Sequence, residues 1–326
     1  MKTVSVIVPV MNEEETVATL AHRVVDVFSD AERVGGATLA EIIFVDDGSS
    51  DATWERIRAI PEQVVSGLRL RRNFGKAAAL QAGILRSSGD IIITMDGDLQ
   101  DDPDEIPRFL AALDAGFDVV SGWKRTRHDP MGKTLPSKLF NFVTARVSGV
   151  HIHDFNCGFK AYRRRVFDSV NLYGELHRFI PALAHAMGYK VTEIEVLHHP
   201  RRFGKSKYGV GRLLKGFLDL LTVVTITTFN SRPGHLFGGI GAALGAAGGL
   251  INVYLLASWL MGNAIGQRPL LILGVLLLIV GLQLVLFGMM AELIVSQRTP
   301  DAPRDIIAET TGAATVEAQH GALRPA

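Results

Sequence analysis

The chain has 326 residues and a formal net charge of +1, with 34 basic and 33 acidic side chains. This balance gives no sign of the basic surface that nucleic-acid binding requires, so we expect no nucleic-acid partner. The single cysteine, Cys157, excludes an internal disulfide and is typical of a protein from a reducing compartment. The length allows one globular domain together with an additional segment.

The first 120 residues alternate between strand and helix patterns. Apolar runs predict strands at residues 3–10, 41–45, 68–70, 91–95 and 118–120. Helical patterns open near Asn12, where acids would occupy the first turn, and continue at residues 52–60 and 77–87. Because strands that alternate with helices form parallel sheets, this part of the chain predicts an α/β fold. We expect no cleavable signal peptide, since the first strand follows Met1 directly.

From residue 121 onward the pattern is less regular. We predict helices at residues 138–150 and 175–187 and a strand at residues 190–197. Basic loops at residues 124–127 and 198–207 separate these elements. The predicted domain therefore covers residues 1–209.

The last third of the chain contains two long apolar stretches. They lie at residues 236–261 and 270–291, and each exceeds the roughly 20 residues that span a membrane. We therefore predict a two-helix transmembrane hairpin within residues 235–296. Three glycines recur at four-residue spacing in the first stretch: Gly241, Gly245 and Gly249. Such spacing favours close packing between helices.

The segments on either side of the hairpin are polar and basic. Residues 210–232 are amphipathic, which predicts a juxtamembrane helix lying along the membrane surface. Residues 299–326 are polar and rich in small side chains, which predicts a disordered tail. Lysines and arginines flank the hairpin, whereas the loop between its helices has only Arg268. The positive-inside rule therefore places the first domain and both termini in the cytoplasm, at the inner membrane.

A cluster of acids begins where the fourth predicted strand ends. Asp96 and Asp98 flank Gly97, which would let the backbone turn tightly between the two carboxylates. The C-terminal edge of an α/β sheet is where such sheets bind ligands, and paired carboxylates there suit a hard divalent cation that also contacts substrate phosphates. The alternative interpretation is a solvated helix N-terminus, with Asp102 as the N-cap and Pro103 at the first helical position.

Four motifs, in their order and spacing, resemble a family 2 glycosyltransferase with the GT-A fold. They are Val6-Ile7-Val8-Pro9-Val10-Met11-Asn12-Glu13, Val45-Asp46-Asp47-Gly48-Ser49, Asn73-Phe74-Gly75-Lys76 and Asp96-Gly97-Asp98-Leu99-Gln100. Residues 154–162 and 201–208 are similar to the polyprenyl-phosphate glycosyltransferases, relatives of dolichol-phosphate mannose synthase. The hairpin is typical of the bacterial members of that group, and the resemblance covers about residues 2–298.

This resemblance implies both an activity and its partners. The activity is the inverting transfer of a sugar from a UDP- or GDP-sugar to a polyprenyl phosphate of the undecaprenyl type, giving a polyprenyl-phosphate monosaccharide for cell-envelope glycans. The implied cofactor is Mg²⁺ or Mn²⁺. The implied partners are the two substrates, the lipid bilayer and further copies of the chain, with a tetramer as the suggested oligomer.

The resemblance also implies roles for individual residues. The donor nucleotide sugar would contact Pro9, Met11, Glu13, Asp46, Asp96, Gly97, Ser206 and Lys207. The metal ligands would come from Asp96, Asp98 and Gln100. The catalytic set would be Asp154, Arg125 and Arg201, with Arg125 receiving the acceptor and Arg201 contacting phosphate.

The role of Asp154 stays open between two possibilities. Asp154 matches the family's candidate general base. However, a phosphate monoester has a second pKa of about 6, so much of the lipid phosphate is already a dianion at neutral pH. Its oxygen then needs positioning more than deprotonation, and Asp154 could equally be an orienting residue.

Two other functions are compatible with a membrane-anchored domain of this kind. A processive polysaccharide synthase is disfavoured because the chain has no Gln-x-x-Arg-Trp motif and two spans are few for a polymer channel. A non-enzymatic scaffold or transporter subunit with a degenerate transferase domain is disfavoured because Asp96, Asp98 and Gln100 are all retained.

Overall fold

The computed structural model describes residues 2–125, 141, 144–146, 148–170, 176–199, 233–263 and 269–297. Several predictions lie outside these residues. They concern Arg201, Ser206 and Lys207, the juxtamembrane segment 210–232, most of the loop between the membrane helices, and the tail 299–326.

The described residues form strands and helices in alternation. The strands are β1 (Thr3–Val10), β2 (Thr38–Asp46), β3 (Val65–Arg69), β4 (Ile91–Thr94), β5 (Val119–Trp123), β6 (Lys160–Arg163) and β7 (Val191–Glu195). The helices are α1 (Val17–Ser29), α2 (Thr53–Arg58), α3 (Lys76–Arg86), α4 (Ile106–Asp114), α5 (Val166–Ser169), α6 (Ile180–Ala186), α7 (Pro233–Leu260) and α8 (Pro269–Gln297). Short 3₁₀ turns, Pro103–Glu105 and Leu176–Phe179, precede α4 and α6.

These strands pair in one seven-stranded sheet with the order β3-β2-β1-β4-β6-β5-β7. β1 is parallel to both β2 and β4, and β5 is parallel to β7. The predicted mostly parallel α/β sheet is therefore confirmed. β6, which was not predicted from the sequence, is antiparallel to β4 and β5. It is a four-residue strand whose pairing partners are distant in the chain, so a local apolar pattern gave little sign of it.

Helices cover both faces of the sheet. On one face, residues of α1 and α4 pack with β1, β2 and β4 around Phe44 and Phe109. On the other face, residues of α3 and α6 pack around Ile7, Ile43 and Tyr162. Burial of β4 on both faces explains why its sequence is a continuous apolar run.

The first helix starts later than its acidic first turn suggested. α1 begins at Val17, and Asn12 has a left-handed backbone with φ of 56°. The Asn12 N–H donates to Ser49 Oγ at 2.9 Å, and the Glu13 N–H donates to Thr53 Oγ1 at 2.8 Å. The prediction near Asn12 was wrong because the loop after β2 supplies hydrogen-bond partners that a helix would otherwise need.

The two C-terminal helices are long and apolar enough, by length and composition, to cross a membrane. Their backbones approach closely, since a Cβ added at Gly241 would lie 2.6 Å from the Gly281 carbonyl oxygen. A Cβ added at Gly281 would lie 2.6 Å from Gly245 N, but no described atom lies within 4 Å of a Cβ added at Gly245 or at Gly249. Of the three spaced glycines, Gly241 therefore faces α8, and Gly245 contacts α8 through its backbone. The Glu292 carboxylate accepts the Gly234 N–H at 2.8 Å and caps the start of α7.

The packing of α3 on the sheet gives a test of the fold. Gly83→Ala should lower stability by about 1–3 kcal/mol, because the added Cβ would lie 2.5 Å from Ile7 Cγ2. Helix propensity alone predicts the opposite sign, since alanine favours a helix over glycine by about 1 kcal/mol. Thermal unfolding of the full chain in detergent measures the change.

The control for this test is Leu85→Ala in the same helix. Leu85 is 80% exposed, so its truncation should change the stability by less than about 0.5 kcal/mol. A Gly83→Ala variant that unfolds at or above the parent temperature would contradict the packing of α3 described here.

Candidate active site

Three loops that carry the predicted donor-site residues meet at one edge of the sheet. β1 and β2 pair in register from Thr3 with Thr38 to Val10 with Asp46, and Ile7 of β1 also pairs with Thr94 of β4. Because the three strands are parallel, their carboxyl ends lie at the same edge. Residues 11–13, 46–49 and 96–100 therefore lie together.

Buried carboxylates connect these loops to the start of α3. Asp46 Oδ1 accepts the Ser49 N–H at 2.7 Å, while Asp46 Oδ2 lies 3.4 Å from Arg69 Nε. The Asp47 carboxylate accepts the N–H groups of Phe74 and Gly75 at 2.7 and 2.9 Å. The second and third sequence motifs are thus joined by hydrogen bonds.

The first and third motifs also meet. Asn73 Nδ2 donates to Met11 Sδ at 2.9 Å, which places Met11 beside the loop that starts α3. Pro9 pairs with Val45 inside the sheet, two residues before Met11. These contacts bring Pro9 and Met11 together with the loops after β2 and before α3.

Asp96 stands at the centre of the edge and is paired with a lysine. Lys76 Nζ, at the first residue of α3, donates to Asp96 Oδ1. Burial acts to lower the pKa of Lys76, but the Asp96 carboxylate outweighs it and the pKa is raised. Lys76 is therefore a fixed positive charge beside the first carboxylate of the acidic motif.

Gly97 lies in a turn between Asp96 and Asp98, as predicted. Its backbone is not left-handed; instead, an added Cβ would lie 2.6 Å from Val10 Cγ1. The left-handed residue of this loop is Leu99, with φ of 59°. Close approach of the loop to β1 therefore explains the glycine.

Asp98 and Gln100 have the oxygen atoms that a hard cation prefers. The Gln100 N–H donates to Asp98 Oδ1 at 3.2 Å, so the two residues share one turn. Within the described part of the chain, no three His, Cys, Asp or Glu side chains are grouped to hold a metal ion. A Mg²⁺-type ion bound by one or two carboxylates and by substrate phosphates needs no such group, so the residues present fit it.

Asp101, which follows this turn, is completely buried and charged. Lys124 Nζ lies 2.7 Å from Asp101 Oδ1, and His198 Nδ1 lies 3.9 Å from the same oxygen. Burial would raise the pKa of Asp101, but the Lys124 charge outweighs it and holds that pKa well below its usual range. The partner carboxylate likewise raises the pKa of Lys124 against the effect of burial. Removing either partner of such a pair typically costs about 3–5 kcal/mol.

Asp102 starts the helical region as predicted. Its side chain accepts the Asp104 N–H at 3.0 Å, with Pro103 at the first position of the turn. Asp102 Oδ2 also lies 2.8 Å from His199 Nε2. Burial acts to raise the pKa of Asp102, but hydrogen bonding, led by His199, lowers it overall.

Asp154 lies in a buried loop before β6. Its side chain is almost completely shielded, and Asp154 Oδ1 accepts the Asn156 N–H at 3.0 Å. Lys160 Nζ donates to the carbonyl oxygens of Phe155 and Cys157, which fixes the same loop. Burial lowers the pKa of Lys160 to about 8 and raises that of the Cys157 thiol to about 12, so Cys157 is an unreactive thiol.

A small pocket beside Asp96 is lined by basic side chains. They are Lys76, Lys160, His177 and Arg178. Gly158 belongs to the same lining, and a Cβ added there would lie 2.5 Å from Asp96 Oδ1. The pocket therefore lies next to the first carboxylate of the acidic motif.

The structure brings together most, but not all, of the predicted site residues. Arg125 is exposed at the end of β5, where its guanidinium lies 3.4 Å from Glu195 and 5.9 Å from the centre of the Trp123 ring. Its neighbour Lys124 points inward instead. Arg201, Ser206 and Lys207 lie outside the described residues.

Several residues at the site were given no role by the sequence patterns. Lys76 is the last residue of the third motif, and its position at the start of α3 could have suggested a place in the site near the acids. His198 and His199 follow β7, and the sequence patterns assign them no role because histidines in a basic loop carry no spacing signal. Their contacts with residues 100–102 arise only in the folded chain.

Comparisons with known proteins agree with this geometry. A family model described as glycosyl transferase family 2 matches residues 5–170. The chain is 41% identical over 298 residues to dodecaprenyl-phosphate galacturonate synthase from Rhizobium johnstonii, covering 89% of this chain and 87% of that protein. It is 35% identical over 329 residues to undecaprenyl-phosphate 4-deoxy-4-formamido-L-arabinose transferase from Aeromonas hydrophila, covering 99% and 98%.

Solved structures share the fold. Glucosyl-3-phosphoglycerate synthase from Mycobacterium tuberculosis, in complex with Mn²⁺, UDP and phosphoglyceric acid, has a TM-score of 0.54 with 18% identity, covering 69% of this chain and 78% of that one. This likeness confirms the predicted GT-A fold, and the family match runs from β1 to the end of α5. With two relatives above 30% identity over most of its length, the chain belongs to glycosyl transferase family 2.

Proposed function

We propose that this glycosyltransferase moves a sugar, with inversion, from a nucleotide sugar to a polyprenyl phosphate. The proposal rests on the loops that carry Asp46, Asp96 and residues 98–100, which lie at one edge of the sheet. Two long apolar helices follow this domain in the same chain. Two relatives named as polyprenyl-phosphate sugar transferases support it. The product would be a polyprenyl-phosphate monosaccharide.

The chain's own residues suggest how the donor is held. Met11, Glu13 and Asp46 would contact the nucleotide, in the cluster that joins the first three motifs. Asp98 and the Gln100 amide oxygen, next to Asp96, would hold Mg²⁺ or Mn²⁺, whose charge stabilises the diphosphate leaving group. Lys76 would add positive charge beside Asp96.

The acceptor would reach the site from the membrane. The hairpin α7–α8 would anchor the domain in the inner membrane, with both termini in the cytoplasm. Arg125, Arg201, Ser206 and Lys207 stay predictions as contacts for the acceptor or for phosphate. The tetramer suggested by the resemblance also stays a prediction.

One assay separates this function from its alternatives. Membranes containing the chain are given radiolabelled nucleotide sugar, and the extracted lipid is analysed. A labelled monosaccharide on polyprenyl phosphate supports the proposal, and a polymer indicates a processive synthase. If label appears in neither product with any UDP- or GDP-sugar tested, a non-enzymatic scaffold is indicated.

The two site carboxylates should differ in their effects on this transfer. Asp98→Asn should abolish most activity because it weakens metal binding, whereas Asp154→Asn should keep measurable transfer. Asp154 is 1% exposed and its carboxylate accepts a backbone N–H, which favours an orienting role that asparagine can partly fill. Rates of lipid-linked sugar formation over a pH series measure both changes.

The pH series also separates the two roles of Asp154. Loss of a general base typically costs about 10²–10⁴-fold where a proton must move. A smaller loss that shrinks above the phosphate pKa of about 6 indicates positioning. Asp154 is a general base if its asparagine variant is folded, binds both substrates and is as inactive as Asp98→Asn at every pH.

The need for a divalent ion is tested with a chelator. Full turnover by the parent chain in excess chelator would contradict the proposed metal site.

The membrane topology can be tested by labelling. In a Cys157→Ser background, a Gly266→Cys probe in the loop between the two membrane helices should react with an impermeant reagent from the outside only. A probe in the tail, Ala314→Cys, is the matched control and should react from the cytoplasmic side only. Reaction of both probes from the cytoplasmic side would refute the predicted hairpin.

A further inference from the structure

The segment that follows β7 runs back against the acidic loop. Asp101 and His198 form an antiparallel bridge, so residues 198–199 lie beside residues 100–102. The His199 N–H donates to the Gln100 carbonyl oxygen at 2.8 Å. In return, Gln100 Nε2 donates to the His199 carbonyl oxygen at 3.2 Å. Both the backbone and the side chain of Gln100 are therefore held by one residue, in a contact that we call the His199 clasp.

The clasp sets the orientation of the Gln100 amide. A backbone carbonyl oxygen can only accept a hydrogen bond, so the amide must turn its NH₂ end toward His199. His198 acts in the same sense, since its Nε2 lies 3.4 Å from Gln100 Nε2 and can accept the second amide hydrogen. The Oε1 end of Gln100, the end that binds a cation, is then directed away from residues 198–199.

Two side-chain contacts keep the clasp in place. His199 Nε2 lies 2.8 Å from Asp102 Oδ2, and Asp102 is itself fixed by Arg23 at 2.5 Å. His198 is nearly buried and lies beside the Asp101–Lys124 pair. His199 is thus attached to the acidic loop at both ends of residues 100–102.

We propose that His199 is a positioning residue for the metal and donor site. Its side chain holds residue 199 against Asp102, and its backbone presents Gln100 with the amide oxygen turned toward the cation. This inference rests on the proposed function, in which Asp98 and Gln100 bind the divalent ion. Residues that orient a metal ligand typically change metal affinity by about 10–100-fold when they are replaced.

The test measures Mn²⁺ binding directly. Mn²⁺ alone, and Mn²⁺ with UDP, are titrated into the full chain in detergent, and free Mn²⁺ is followed by electron paramagnetic resonance. His199→Phe keeps a ring but loses the nitrogen that meets Asp102, and its Kd should rise about 10-fold. His199→Gln keeps a group able to bond Asp102 and should stay within about 3-fold of the parent. Gln100→Ala should bind at least as weakly as His199→Phe.

A second histidine provides the matched control. His22 in α1 is about as exposed as His199, at 54% against 44%, and lies 2.5 Å from a carboxylate of Glu62. His22→Phe should leave the Kd for Mn²⁺ unchanged. Because His199 is half exposed, its variants should fold, and circular dichroism checks this. Should His199→Phe fail to fold, the same prediction applies to His199→Leu.

These outcomes separate a failure of the His199 clasp from a failure of the proposed transfer reaction. A Kd for Mn²⁺ of His199→Phe that stays within 2-fold of the parent value overturns the clasp. An unchanged Kd for Gln100→Ala also overturns it. The same holds if the parent chain binds no Mn²⁺, either alone or with UDP. A parent that binds Mn²⁺ but transfers no sugar to polyprenyl phosphate rejects the proposed function. In that case a weakened His199→Phe still supports the clasp.

Discussion

The parallel pairing of β1 with both β2 and β4 is the constraint on which the site depends. It brings the ends of three strands to one edge, so loops separated by as many as 85 residues, Met11 to Asp96, become neighbours. A parallel pair needs a crossover, and α1, α2 and α3 supply the connections on the two faces of the sheet. Apolar burial of β1 and β4 on both faces then makes this edge rigid enough to hold polar loops in fixed positions.

Electrostatic balance is the second requirement, because five acids lie between residues 96 and 104. Asp96 forms an ion pair with Lys76, and Asp101 forms one with Lys124. Asp102 contacts both Arg23 and His199. Asp104 meets Arg33 on the exposed side. This distribution separates structural acids from chemical ones. Asp101 and Asp102 hold the loop in place, whereas Asp98 and Gln100 are the residues proposed to bind a divalent ion.

The membrane hairpin is built on a different principle. Its two helices cannot gain from the hydrophobic effect within lipid, so close backbone contact at Gly241 and Gly281 takes its place. The acid Glu292 lies near the end of the apolar span of α8 and accepts the Gly234 N–H at the start of α7. The same chain therefore combines an α/β domain that has a buried sheet with a helix pair that is stabilised by glycine packing.

The sequence by itself determined the α/β class, most strands and helices, the two apolar spans and the position of Asp96 and Asp98 at a strand end, because these follow from local periodicity. The grouping of Asp46 with them was implied by the family resemblance of the motifs. Three features required the tertiary structure. β6 appears only through its pairing with distant strands, α1 starts late because Ser49 and Thr53 bind the residues before it, and His198 and His199 meet the acidic loop across about 100 residues of chain. Local patterns report the preferences of neighbouring residues. Contacts between distant segments decide which of those residues meet, and here they convert two ordinary loop histidines into the support of Gln100.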